Sequence, residues 1–169
     1  MLTEFLVLVV FPALLALAAG WDLATYLIPN WLSAGLVLTF ILFAAAAAMP
    51  WTMFGYHVLA GALALTAGFA LFGFGVIGGG DAKLFAAIAL MLGFHDLAGY
   101  ALLASLFGGA LTLAILALRR FPLPQLLAEE NWIVKLHDAA SGVPYGVALA
   151  TGAVVLLPHA EIFRLAAGG

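Results

Sequence analysis

The stretch LTEFLVLVVFPALLALAAGWD, residues 2–22, decides the fold. It is apolar from Phe5 to Ala19 and closes on Trp21 and Asp22. A bilayer core takes about 20 apolar residues per helix, and this run supplies them. Leu2 to Ala19 ends in small residues, as a cleaved signal does, but no positive segment precedes it, and Glu4 is the only charge before Trp21. It reads as a retained first transmembrane helix. An acid at the edge of such a segment is costly and usually has a task.

Outward from this run the composition is the same. The chain has 169 residues, of which 67% are hydrophobic and 8% charged. Soluble domains run at roughly 45–50% apolar and about 25% charged. The reading is an all-α integral membrane protein, a single membrane domain over residues 1–169. A net charge of −3 with five Lys and Arg leaves no basic run for nucleic acid. Cysteine is absent, which excludes disulfides, thiolate catalysis and Cys-ligated zinc.

Length and apolarity predict spans at 2–20, 31–49, 54–76, 82–94, 97–118 and 143–159, about six helices in one polytopic bundle. Ile28-Pro29-Asn30, Met49-Pro50-Trp51, Gly78-Gly79-Gly80 and Phe121-Pro122-Leu123-Pro124 punctuate them. With the N-terminus outside, inner loops hold Lys83, Arg119, Arg120 and Lys135, and outer segments only Arg164. That asymmetry sets the orientation. It puts Asp22 and Asp81 on the same, cytoplasmic side. Residues 121–142 form a polar loop. Leu126, Leu127, Ile133 and Val134 suit one face of a helix lying on the membrane, with Glu129, Glu130, Lys135 and Asp138 toward water. A plain solvated connector fits as well. The run Ala44 to Ala48 reads as helix filler.

Two carboxyls on separate helices can share a proton and hydrolyse peptides. Like charges a few ångströms apart do not both ionise, so the pair splits its titration. The ionised partner takes a proton from water and the other donates one to the carbonyl oxygen or leaving amine. The glycines before Asp81 remove bulk and permit unusual backbone angles, which admits an extended substrate. Gly75 and Gly79 also fit a small-residue contact between helices, and Asp81 at a helix start suits an N-cap.

Three stretches carry a resemblance: Asp22-Leu-Ala-Thr-Tyr-Leu-Ile-Pro-Asn30, Gly78-Gly-Gly-Asp-Ala-Lys83, and Val143-Pro-Tyr-Gly146 entering the last span. Together they resemble the type IV prepilin peptidases, membrane aspartyl proteases of G-x-G-D type, and more closely the short members of tight-adherence (Flp) pilus systems. The resemblance implies that Asp22 and Asp81 are the catalytic pair. It makes Gly78, Gly80, Lys83, Pro29, Asn30, Pro144, Tyr145 and Gly146 supporting positions. It implies no metal and no cofactor, and prepilin or pseudopilin precursors as partners. The setting it implies is the bacterial inner membrane, with the active site facing the cytoplasm. Members usually carry a basic residue between the first Asp and Ile-Pro-Asn, where Ala24 to Leu27 are uncharged here. Long members add a segment with paired cysteines and an N-methyltransferase activity, so no methylation is expected of this cysteine-free chain.

Blander readings stand beside this one. Lys83 reads as a topology anchor. His57, His95, His137 and His159 lack metal-ligand spacing and read as structural or solvated. Trp21, Trp31, Trp51 and Trp132 lie near span ends, as interfacial aromatics do. Ser33, Ser105 and Ser141 have no His or Lys partner in sequence for serine catalysis. Two other classes compete with the endopeptidase. One is a proton-coupled transporter with the aspartates as relay, disfavoured by the lack of an internal repeat. The other is a non-catalytic subunit of a secretion apparatus.

Overall fold

The computed structural model describes residues 1–123 and 131–168. The helices are α1 (Leu2–Thr25), α2 (Asn30–Ala46), α3 (Trp51–Gly73), α4 (Gly79–Leu92), α5 (Phe94–Leu118), α6 (Asn131–His137), α7 (Tyr145–Leu156) and α8 (Glu161–Ala167). No strand occurs among the described residues. The all-α membrane architecture expected from the apolar runs is the one observed.

Three helices, α1, α3 and α5, are long and apolar enough to cross a bilayer. Tyr145–His159 and Glu161–Ala167, bent by 51°, make a fourth if taken as one broken span. Each expected span coincides with a helix, but α2 has 17 residues and α4 has 14. At about 1.5 Å per residue, α4 is some 21 Å long against a core of about 30 Å. The count of six spans rests on these two short helices.

The sequence explains the boundaries. Pro12 sits inside α1 and removes an N–H, and the wider π-type turns of Leu6–Val10 precede it. Tyr26 ends α1 in the left-handed conformation, φ 61° and ψ 24°, with its N–H on the Asp22 carbonyl. Pro29 caps α2 with φ −62°, the value its ring enforces. α2 ends at Ala46, earlier than expected: Ala47 and Ala48 form a turn, with Ala48 at φ 45°, ahead of Pro50. Those two alanines are therefore turn, not helix filler.

α4 is the most deeply packed helix. Ala82, Leu84, Ile88, Ala89, Met91 and Leu92 are buried along it. It packs on α2, α5 and α7, and most extensively on α3. Small residues set that spacing. A Cβ at Gly68 would stand 3.0 Å from Ala82 Cα, and one at Gly61 would stand 3.0 Å from Leu90 Cβ. The Gly75–Gly79 helix contact expected from sequence does not form. Gly75 lies in the loop at φ 71°, and Gly79 begins α4 against Phe72.

Asp22, Asp81 and the start of α7 converge at one end of the bundle, beside Arg119. That guanidinium donates to the carbonyls of Leu136 (2.9 Å) and Gly142 (2.7 Å) and holds the connector to α5. Within the connector, α6 is a single short helix with Val134 and Lys135 exposed. Leu126, Leu127, Glu129 and Glu130 lie outside the described residues. At the other end, buried Asp96 accepts the Glu161 N–H at 2.8 Å and pairs with His95 at 2.9 Å. His57 there is buried and donates from Nδ1 to the Leu90 carbonyl at 2.8 Å, a structural role as expected.

Candidate active site

Asp22 lies on the last turn of α1, on the face that also buries Phe11, Leu15 and Ala18. It is 4% exposed, so its carboxylate must be paired or hydrogen-bonded. Its Oδ2 accepts the N–H of Gly146 at 2.7 Å. Gly146 stands in the first turn of α7, where backbone N–H groups have no helical acceptor and the helix dipole favours an anion. Only glycine fits there: an added Cβ would meet Asp22 Oδ2 at 2.8 Å and Ile28 Cδ1 at 2.9 Å. Pro144 caps this helix, and Tyr145 packs its ring on Gly108 of α5. The Pro-Tyr-Gly turn is thus a clamp on Asp22.

Asp81 is the third residue of α4, not its N-cap. Its Oδ2 accepts the N–H of the capping residue, Gly78, at 3.2 Å. This is the reach-back half of a capping box; Gly78 has no side chain to supply the other half. The Asp81 Oδ1 is buried with no hydrogen-bond partner among the described residues. The glycines act through space rather than through angles. Gly78 is extended at φ −73°, and Gly79 and Gly80 are helical. A Cβ at Gly80 would stand 3.2 Å from Ile28 Cβ, so the Ile28-Pro29 corner lies directly on the glycine turn.

Asp22 and Asp81 line one cavity of about 330 Å³. Tyr26, Ile28 and Asn30 form its α1–α2 side, and Gly78 to Gly80 with Lys83 form its α4 side. Lys83 is more than an anchor: its Nζ donates to Asn30 Oδ1 at 3.0 Å and joins the Pro-Asn break to the glycine turn. Of the predicted supporting positions, Asn30, Gly78, Gly80 and Lys83 line the cavity and Gly146 bonds Asp22, while Pro29 and Pro144 cap the flanking helices and Tyr145 lies against α5.

Tyr26 escaped the sequence reading. It lines the cavity, and its hydroxyl is buried with no partner among the described residues. Burial pushes its phenol above the ordinary value, with Arg119 acting weakly the other way, so it stays a proton donor at neutral pH. The available signal was a tyrosine at the end of an apolar run, four residues after the acid. Nothing in it announced a left-handed backbone. Phe72, which also lines the cavity, carried no signal at all.

No cluster of three or more His, Cys, Asp or Glu suited to a metal ion occurs among the described residues. Two carboxyls on one small cavity, each held by a backbone N–H, are the groups that acid–base chemistry on a water and a carbonyl would need. No curated protein and no solved structure matches the chain. The type IV leader peptidase family matches residues 9–113, more than half the length, with both aspartates and the glycine turn inside the match. The chain belongs to the type IV leader peptidase family.

Proposed function

We propose that the chain is a membrane aspartic endopeptidase that removes the short leader from type IV pilin-like precursors, of the Flp type, at the cytoplasmic face of the bacterial inner membrane. The observation that carries this reading is the shared cavity of Asp22 and Asp81, within the stretch that matches a leader peptidase family. One carboxylate takes a proton from the attacking water. Its protonated partner donates to the carbonyl oxygen; the carboxyl that took the water's proton then gives it to the leaving amine as the C–N bond breaks, and the diol hydroxyl returns a proton to the partner. The N–H of Gly146 and the N–H of Gly78 hold one oxygen of each group, which leaves the others for the reaction.

The bundle end that carries the carboxylates also carries Lys83 and Arg119, which supports its placement on the cytoplasmic side. The precursor enters as an apolar helix with its leader toward that side. The family match supports a peptidase over a proton-coupled transporter or a non-catalytic subunit. The test is co-expression with small pilin-like precursors, reading the mobility shift on leader loss. Wild type shortens its precursor, and Asp22→Asn and Asp81→Asn do not. A shift that persists in both variants overturns the assignment.

A further inference from the structure

Asn30 and Lys83, which line the cavity of the two carboxylates, also line a second, larger cavity of about 500 Å³ that is almost wholly apolar. Ala34 and Val37 of α2 form one wall and Gly61 and Ala62 of α3 the other, with Ala86 and Ala87 of α4 as the floor. α2 and α3 both pack on α4 but are not a packed pair themselves along this length. They meet only at the far end, where Phe40 stacks on Phe54 (centroids 5.4 Å apart) and on His57 (5.1 Å). The result is a wedge, closed by aromatics at one end and adjoining the cavity of Asp22 and Asp81 at the other, through Asn30 and Lys83.

Resting on the proposed peptidase activity, we infer that this wedge between α2 and α3 is the docking groove for the apolar helix of the precursor. Three features select a helix over a lipid tail. A peptide crossing lipid satisfies its own backbone only as a helix. Small residues on walls and floor let another helix backbone come close, which is how helices associate in membranes. The Asn30 and Lys83 end adjoins the cavity of the carboxylates, so a helix seated there delivers the chain just beyond its end to them. From Asn30 to Val37 and from Lys83 to Leu90 the groove runs about 10 Å, or about two helical turns. At its mouth the Lys83–Asn30 hydrogen bond of 3.0 Å marks where helix gives way to extended chain.

The chain has no cysteine, so single cysteines report position directly. Ala34 and Ala62 are exposed in the groove, and Leu106 is 64% exposed on α5, away from it. The probes are the pilin-like precursor that wild type cleaves, carrying one cysteine in its apolar helix, and a soluble peptide across its scissile bond without that helix. In an Asp81→Asn background, Ala34→Cys and Ala62→Cys form disulfide adducts with the precursor and Leu106→Cys does not. In the active enzyme, Ala34→Trp and Ala62→Trp lower cleavage of the full precursor about tenfold or more and leave the soluble peptide within about twofold. Leu106→Trp changes neither. Adducts formed as readily from Leu106→Cys overturn the groove, and so does a chain-to-chain adduct through Ala62→Cys in place of the precursor adduct. Full precursor cleavage by both tryptophan variants overturns it as well. Absence of cleavage by wild type, in contrast, removes the peptidase activity itself and this inference with it.

Discussion

At the residue scale the proposed mechanism makes the two acids one unit, so their removal is expected to be non-additive. Asp22→Asn and Asp81→Asn each abolish cleavage, and the double variant is no worse. Both variants fold, because Asn still accepts the Gly146 and Gly78 N–H groups. The pH–rate profile is bell-shaped. Below the lower apparent pKa both groups are protonated and no base remains; above the upper one both are ionised and no acid remains. A single sigmoid across the range counts against the pair. Gly146→Ala tests the clamp. Its Cβ would sit 2.8 Å from Asp22 Oδ2, so the carboxylate must move, and a shift of about 1 Å costs about 100-fold in rate. Gly109→Ala, with nothing within 4 Å, leaves the rate unchanged. Tyr26→Phe separates activity from stability. Loss of a buried hydroxyl without a described partner leaves stability equal or raised by about 1 kcal/mol, while cleavage falls about tenfold. Thermal unfolding in detergent beside a cleavage assay reads both.

At the element scale the molecule depends on α4, a helix too short to span by itself and buried by its neighbours. Its contact with α3 is set at Gly61 and Gly68. Gly68→Val drives side-chain atoms into the Ala82 backbone and costs about 1–3 kcal/mol in detergent unfolding. It also loosens the glycine turn at the start of α4, so activity falls with it. The far end of the bundle behaves differently. Asp96 ties the start of α5 to α8 through the Glu161 N–H and faces no carboxylate of the site. Asp96→Asn keeps that acceptor and retains most activity. A loss equal to that of Asp81→Asn contradicts the separation of the two ends.

At the scale of the whole molecule, orientation is the testable quantity. Reporter fusions after residues 25 and 80 fall on one side of the membrane, and fusions after 52 and 95 on the other. Opposite locations for 25 and 80 are incompatible with a shared cavity. Activity in detergent survives EDTA, since the proposed acid–base pair asks for no metal; loss on chelation with recovery on added zinc overturns that chemistry.

Membrane residence, the helical class and the two acids were legible in the chain alone, because each is a local property. Apolar runs of bilayer length allow few alternatives, and an acid at the end of one stands out against 67% hydrophobic residues. Pro29 and Pro50 marked the breaks for equally local reasons, a missing donor and a fixed φ. What lay beyond the sequence is long-range. That Gly146 must be glycine follows from the position of Asp22, more than a hundred residues away and across two helix ends. That Gly78 to Gly80 act through space and not through unusual angles follows from where Ile28 lands. The left-handed Tyr26 has no composition signal, since its conformation is imposed by the corner that returns α2 against α4. The wedge between α2 and α3 exists only because both pack on a third helix rather than on each other.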